Sequence, residues 1–321
     1  MSEVEALRLE LVRRGLLDAD VPAFEPAAGR RPWYLTLLLG CAGWLAGIFG
    51  LVCFGLTFTP KGVLEFTLVG VFGLGVAYAF YGIARGSVFF DQLALALSIA
   101  GQLAIAFAAA EATDFGTATA ALVAVLEIVL VVVMPNRFAK LLSTIFAAIA
   151  WALALWLHWK LYRIEPQSAS FWRVLVVWLV VWLPLAACLQ WLIARESLWI
   201  ARGWQHLARP VLNGLIVSLA FGTLISAPLA TFGLGSAKPG LSWLVLWPLL
   251  GTSAALFAVF AAFRVRRRAL AGAAIVAALL HVSQTYFLVS TTLLVKAAVM
   301  LAVGVALLLG AMLLDRRMQV A

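Results

Sequence analysis

The chain has 321 residues, of which 65% are hydrophobic and only 12% are charged, and its mean hydropathy is +1.06. A soluble domain has about 45–50% apolar and about 25% charged residues. The composition therefore excludes a soluble enzyme, a disordered chain and a secreted disulfide scaffold, and it predicts an all-α polytopic transmembrane helix bundle. The net charge of +9 indicates positively charged cytoplasmic loops rather than nucleic-acid binding.

Residues 1–32 precede the first apolar stretch and are predicted to form a short cytoplasmic amphipathic helix and a linker. Val4, Leu7 and Leu11 recur at helical spacing, and Gly15 suits the end of this helix. Residues 18–32 are rich in Pro and Ala, which is typical of a linker. The remaining residues, 33–321, are predicted to form one transmembrane domain.

The transmembrane domain is predicted to contain about ten spans, because a helix needs about 20 apolar residues to cross the hydrocarbon core. The predicted spans are 33–58, 63–83, 88–110, 117–134, 140–158, 171–193, 211–232, 241–263, 269–289 and 293–314. The boundary between the last two is the weakest, because this stretch also suits one long helix, which would leave nine spans.

The distribution of Lys and Arg favours ten spans with both termini in the cytoplasm. In that arrangement 17 of the 23 Lys and Arg residues lie on the cytoplasmic side, and every inner loop contains at least one Arg. Positive charge accumulates in the cytoplasmic loops of membrane proteins. Nine spans would instead place Arg316 and Arg317 on the outer side.

The segment 194–210 is too polar to span the bilayer. Arg195, Arg202 and Arg209 repeat every seven residues and are interleaved with tryptophans. This pattern is typical of a short helix that lies in the cytoplasmic interface, although an ordinary positive loop has the same composition.

Glycines and prolines within the spans suggest how the helices pack. Gly40, Gly43, Gly47 and Gly50 share one face of the first span. Such a face allows close helix approach, either inside the bundle or in a homodimer. Prolines at positions 184, 228 and 248 lie within three successive spans. They either mark kinks of the kind that transporters use around their binding sites or reflect the higher frequency of Pro in membrane helices.

Glu127 is an ionisable side chain far from the predicted ends of its span, and that span contains no basic residue. An unpaired charge at such a depth costs about 2.5–3.5 kcal/mol on insertion scales. The carboxyl is therefore expected to be protonated, paired with another helix or in contact with water. A proton-linked site and a neutral structural carboxyl both fit this expectation.

His281, Gln284 and Thr285 form a second polar group, because their i, i+3, i+4 spacing places them on one helix face. This face is expected to point into the bundle, where Gln102 and Asn213 could meet it. It is predicted to be either a substrate or proton site or ordinary hydrogen bonding between helices.

Motifs for chemistry are absent from the sequence, which contains no HExxH, P-loop, GxSxG or CxxC pattern. The three cysteines all lie in apolar runs, and Cys41 and Cys53 are too far apart on one helix to form a disulfide. We therefore expect a protein that is not an enzyme and has no cofactor and no metal site.

Several motifs resemble a known family. They are Pro32-Trp33-Tyr34, the Gly40–Gly47 stretch, and the sequence Leu-Leu-Val-Lys ending at Lys296, which is followed by Gly304. Together they resemble the bacterial inner-membrane family catalogued as domain of unknown function 4401. The resemblance implies a multi-pass protein of the inner membrane and supplies no activity. It adds Lys296, just inside the last span, to the polar positions of interest.

Two functions follow as hypotheses for this integral inner-membrane protein. The first is a small-solute or proton-coupled transporter that uses the intramembrane polar residues. The second is a non-catalytic scaffold or sensor subunit that works through a membrane-protein partner or a homo-oligomer. The lipid bilayer is the partner that both require.

Overall fold

A computed structural model gives the fold of the chain. It describes residues 33–83, 87–160, 170–227 and 243–288, together with Glu10, Arg14 and nine residues between 294 and 312. The described helices are α1 Trp33–Phe58, α2 Val63–Ile83, α3 Val88–Ala112, α4 Thr117–Val133, α5 Arg137–His158, α6 Phe171–Ala194, α7 Glu196–Ala201, α8 Gln205–Ile225, α9 Leu246–Arg264 and α10 Arg268–Leu288. A 3-10 turn, Trp243–Val245, leads into α9.

Seven of the described helices are long and apolar enough to cross a membrane, judged by length and composition. They are α2, α3, α5, α6, α8, α9 and α10, while α1 and α4 contain shorter apolar stretches, Leu37–Cys53 and Thr117–Val133. The prediction of an all-helical chain is thus confirmed among the described residues, and seven of its helices suit a multi-pass membrane protein by length and composition. The count of about ten spans stays a prediction.

Nine of the predicted spans match described helices, mostly within a few residues. The tenth, 293–314, lies largely outside the described residues, although the nine residues described there are helical. Of the N-terminal helix the structure describes only Glu10 and Arg14, whose side chains form an ion pair at 2.9 Å.

One boundary differs clearly from the sequence prediction. Helix α8 begins at Gln205, six residues before the predicted start at 211, and ends at Ile225. Only the six residues Glu196–Ala201 form a separate helix in the polar segment 194–210. Gly203 follows the end of α7, and a new helix begins two residues later at Gln205. The turn that contains Arg209 is therefore the start of a spanning helix.

The three prolines that were predicted to lie within spans have different positions in the structure. Pro184 lies inside α6, as predicted. Pro248 is the third residue of α9, where a missing N–H costs no helical hydrogen bond, so it does not interrupt a span. Pro228 lies outside the described residues.

The helices form two packed groups. Helix α3 packs between α1 and α2, while α8 lies at the centre of a second group that includes α6, α9 and α10. The core of the second group contains Trp182, Leu212, Ile216, Leu219 and Trp247, all nearly inaccessible. The pair α4–α5 lies between the two groups and contacts both.

The predicted glycine face packs inside the bundle. A Cβ built on Gly43 would lie 2.6 Å from the carbonyl oxygen of Phe89, and one on Gly47 would lie 2.5 Å from the Cβ of Ala96. Only glycine allows α1 to approach α3 this closely. Gly50 has no atom within 4 Å of its Cβ position and takes no part in this contact.

If consecutive spanning helices cross the membrane in opposite directions, as the predicted topology requires, their connections fall at two opposite ends. One end, which we call the basic end, contains the connections α4–α5, α6–α8 and α9–α10. The arginines described there are Arg137, Arg195, Arg202, Arg209, Arg264, Arg266, Arg267 and Arg268. The other end has Lys61, Lys160 and Arg173 among the described residues.

Candidate functional site

Polar side chains inside the bundle are the strongest functional signal in an apolar protein. The buried polar residues described are Ser98, Gln102, Glu127, Lys140, Ser143, Thr144, Ser218, Thr223, Thr252, His281 and Thr285. They fall into separate groups, of which one surrounds Glu127 and another surrounds His281.

Glu127 lies in the middle of α4 and its side chain is only 2% exposed. It faces α5, where the hydroxyl of Ser143 is its polar neighbour. The Oε2 atom of Glu127 has no hydrogen-bond partner among the described residues. No described Lys, Arg or His side chain lies within ion-pair distance of this carboxyl. The site is thus a buried acid with unused hydrogen-bonding capacity.

Lys140, the first residue of the predicted span 140–158, is buried. It lies in the first turn of α5 and is only 3% exposed. The side chain of Asn136 caps this helix by accepting hydrogen bonds from the backbone N–H groups of Phe138 and Ala139, at 2.7 and 3.3 Å.

The sequence did contain a signal for this face of α5. Lys140, Ser143 and Thr144 have i, i+3, i+4 spacing, the same pattern that marked the His281 group. The hydroxyl of Thr144 donates to the carbonyl of Lys140 at 2.8 Å. On its other side Thr144 meets α8, where a Cβ on Gly214 would lie 2.6 Å from the Thr144 Cβ.

His281 lies on α10 with no solvent exposure and connects three helices. Its Nε2 atom is 2.7 Å from the Thr223 hydroxyl and 3.2 Å from the Ala220 carbonyl, both on α8. A protonated Nε2 donates to these oxygens, whereas an unprotonated Nε2 accepts from the Thr223 hydroxyl. The ring packs against α9 at Gly251, where a Cβ would lie 2.5 Å from Cε1. The Nδ1 atom has no partner among the described residues.

Further hydrogen bonds extend the His281 group. The indole N–H of Trp247 donates to the carbonyl of Thr223 at 3.0 Å, and the Thr285 hydroxyl donates to the carbonyl of His281 at 2.9 Å. Gln284 is only partly buried on the same helix. Thr223 was not identifiable from the sequence, because a single threonine in an apolar span carries no local signal.

The structure does not unite the predicted polar residues. Glu127 lies between α4 and α5, whereas His281 lies among α8, α9 and α10. Gln102 donates to Ser98 on its own helix α3, which packs against α1, α2 and α4. Asn213 precedes Thr223 by ten residues, about 15 Å along α8 at 1.5 Å per residue. Lys296 lies outside the described residues.

The chemistry available differs between the two groups. The carboxyl of Glu127 can bind and release a proton, whereas the His281 ring is held by neighbours from two helices. Within the described part of the chain, no three His, Cys, Asp or Glu side chains lie close enough to hold a metal ion.

Comparison with known proteins adds a family but no activity. The family model described as "Domain of unknown function (DUF4401)" matches residues 32–247, about two thirds of the chain. No curated protein and no solved structure matches the chain.

Proposed function

This chain belongs to the DUF4401 family. From that premise we propose that it is a carrier of the bacterial inner membrane that moves a small solute or protons. Proton binding by Glu127 is coupled to this movement. The proposal places both termini in the cytoplasm and assigns no catalytic step to the chain. The apolar helices support the membrane setting, because seven of them suit a bilayer by length and composition.

One observation carries the proposal, namely that a carboxyl only 2% exposed has no described cation beside it and no described hydrogen-bond partner for its Oε2 atom. A charged carboxylate at such a place needs a counter-charge or water, because the apolar surroundings solvate it poorly. The neutral acid is therefore the form that suits the described arrangement. A group that is neutral when buried and charged when it reaches water is the chemical requirement of a proton carrier.

The position of Glu127 also supports this role. The pair α4–α5 lies between the two packed groups of helices, so a relative movement of these groups would change the surroundings of the carboxyl. Ser143 supplies a hydroxyl that can donate to the carboxylate or accept from the acid. The His281 group is less suited to a moving site, because its hydrogen bonds connect helices of one group to each other.

Proton flux into proteoliposomes tests the proposal. The native protein is compared with Glu127→Gln, which keeps the shape of the side chain but cannot exchange a proton. Glu65→Gln is the matched control, because Glu65 is exposed in the first turn of α2. We expect flux above protein-free vesicles for the native protein and the control, and background flux for Glu127→Gln. Background flux in all three proteins would contradict proton coupling.

The second candidate function is a non-catalytic scaffold or sensor subunit that works through a partner protein. It is favoured by the exposed apolar side chains of Leu198, Ile200 and Trp204 at the basic end, and by the separation of Glu127 from His281. Cross-linking of the intact chain in native membranes would distinguish the two. Retained proton flux in Leu198→Ser/Ile200→Ser, with loss of a cross-linked partner, would assign this surface to assembly rather than to transport.

A further inference from the structure

A small cavity of about 150 Å³ lies at the basic end, at the junction between the end of α6 and the start of α7. Its walls are formed by Trp191, Arg195, Leu198, Trp199, Arg202 and Trp204. One water molecule needs only about 10–15 Å³ measured in this way, so the cavity has room for a polyatomic group.

Local backbone structure sets the shape of this cavity. Helix α6 ends at Ala194, and Arg195 joins it to α7. Gly203 then ends α7 with a positive φ of 76°. The backbone N–H of Trp204 donates to the carbonyl of Trp199 at 2.9 Å, and that of Gly203 donates to the carbonyl of Ile200 at 3.0 Å. This Schellman motif holds Trp204 next to Trp199 and brings the chain back toward the cavity.

Positive charge in the cavity is not neutralised by the protein. The guanidinium of Arg195 lies 4.7 Å from the centre of the Trp191 ring, a cation–π contact that occupies its face and leaves its N–H edge available. Neither Arg195 nor Arg202 forms an ion pair within the part of the chain that the structure describes. Glu196, which follows Arg195 directly in the chain, forms no ion pair with either arginine in the described structure.

Aromatic rings form the rest of the wall. Trp191 and Trp199 meet edge to face at 6.1 Å between ring centres, and Trp199 meets Trp204 in the same manner at 5.4 Å. Leu198 is 56% exposed beside them. Tryptophan is enriched at the depth of lipid headgroups, because its ring is apolar and its N–H is polar. The cavity therefore combines anion-binding groups with the side chains of a membrane interface.

We propose that this cavity is a binding site for the phosphate of an anionic phospholipid, with Arg195 and Arg202 as the phosphate ligands and Leu198 and the tryptophans against the upper acyl chains. Guanidinium groups suit a phosphate because their N–H donors match its oxygens. Basic pockets at the cytoplasmic side of transmembrane helices bind acidic headgroups by the same chemistry. The site is independent of the proton role of Glu127.

The strength of the preference follows from the two charges. A Lys or Arg near the surface of an anionic membrane contributes about 1 kcal/mol, which corresponds to about five-fold in affinity. Phosphatidylcholine carries the same phosphate, but its choline cation cancels the charge. Two arginines together are therefore expected to favour phosphatidylglycerol over phosphatidylcholine of the same acyl chains by about 25-fold. Removal of one arginine is expected to leave about a five-fold preference.

Native mass spectrometry of the full chain in detergent tests the site with these two lipids. The double variant Arg195→Gln/Arg202→Gln is compared with Arg266→Gln/Arg268→Gln, which removes the same charge at the same end but outside the cavity. We expect the preference for phosphatidylglycerol to persist in the native protein and the control and to fall to about one-fold in the cavity variant. Equal preferences in the two double variants would overturn the proposal.

Two further arms complete the experiment. Inorganic phosphate is added to the native protein together with the lipid. If millimolar phosphate displaces the lipid, the cavity binds free phosphate and the proposal of a lipid site is overturned. Should the double glutamine variant aggregate, the single variants Arg195→Gln and Arg202→Gln replace it. Each is expected to keep about a five-fold preference, and an unchanged preference in both would contradict the site.

Discussion

The Nε2 atom of His281 lies 2.7 Å from the hydroxyl oxygen of Thr223, although 58 residues separate them in the chain. This contact connects α10 to α8, and the same ring covers Gly251 on α9. The ring of His281 thus packs between three helices, and its role as a substrate or proton site stays a prediction. Its surroundings lead to the first two predictions.

Gly251→Ala is expected to destabilise the protein by about 1–3 kcal/mol, the usual cost of overpacking a tight core. The new Cβ would lie 2.5 Å from Cε1 of a fully buried ring that is held by hydrogen bonds. Gly50→Ala is the matched control, since nothing lies within 4 Å of its Cβ position. Thermal unfolding in the same detergent measures both. Equal melting temperatures for the two variants would contradict the described packing.

Thr223→Val removes the hydroxyl that His281 contacts and keeps the shape of the side chain. Hydrogen bonds between membrane helices average about 0.6 kcal/mol, with a maximum near 1.7, so a loss in this range is expected. A double-mutant cycle with His281→Phe isolates the interaction energy of the pair. If the two losses simply add, the two side chains do not interact.

Gly203→Ala is expected to destabilise the turn after α7 by about 1–2 kcal/mol, because its φ of 76° costs that much for a residue with a Cβ. Gly272→Ala, in the helix α10 with open space around it, is the control. The readout is the rate of proteolysis within 195–204 in the folded protein. An unchanged rate would show that this turn does not require glycine.

Glu127 is expected to react with dicyclohexylcarbodiimide, an apolar reagent that modifies protonated carboxyl groups within membranes. A water-soluble carbodiimide is expected to modify the exposed Glu65 and Glu111 and to spare Glu127, whose side chain is 2% exposed. Peptide mass spectrometry locates each modification. Reaction of Glu127 with the water-soluble reagent alone would place the carboxyl in contact with water and contradict its described burial.

Cysteine labelling tests the assignment of the two ends. Lys61→Cys in the turn between α1 and α2 and Arg266→Cys in the turn between α9 and α10 are introduced into a chain without its three native cysteines. A membrane-impermeant maleimide is expected to reach position 61 from the outside of intact cells and position 266 only after lysis. Labelling of both positions from one side would overturn the topology.

The sequence alone determined the apolar helices and most of their boundaries. In a bilayer each helix must satisfy its own backbone hydrogen bonds, so the signal for a span is local and can be counted along the chain. Glu127 and His281 were identifiable for a related reason, since a polar side chain is conspicuous in an apolar stretch. The burial of Lys140 was missed because its position beside a loop looks the same whether the side chain points outward or inward.

Only the tertiary structure decided which polar groups meet. The contact of Glu127 with Ser143, the contact of His281 with Thr223 and the separation of the two groups depend on helix rotation and neighbour choice. Apolar sequences specify these weakly, because one lipid-compatible face resembles another. Small residues such as Gly214 and Gly251 set the close approaches, and their effect depends on the side chain that each one meets across the interface.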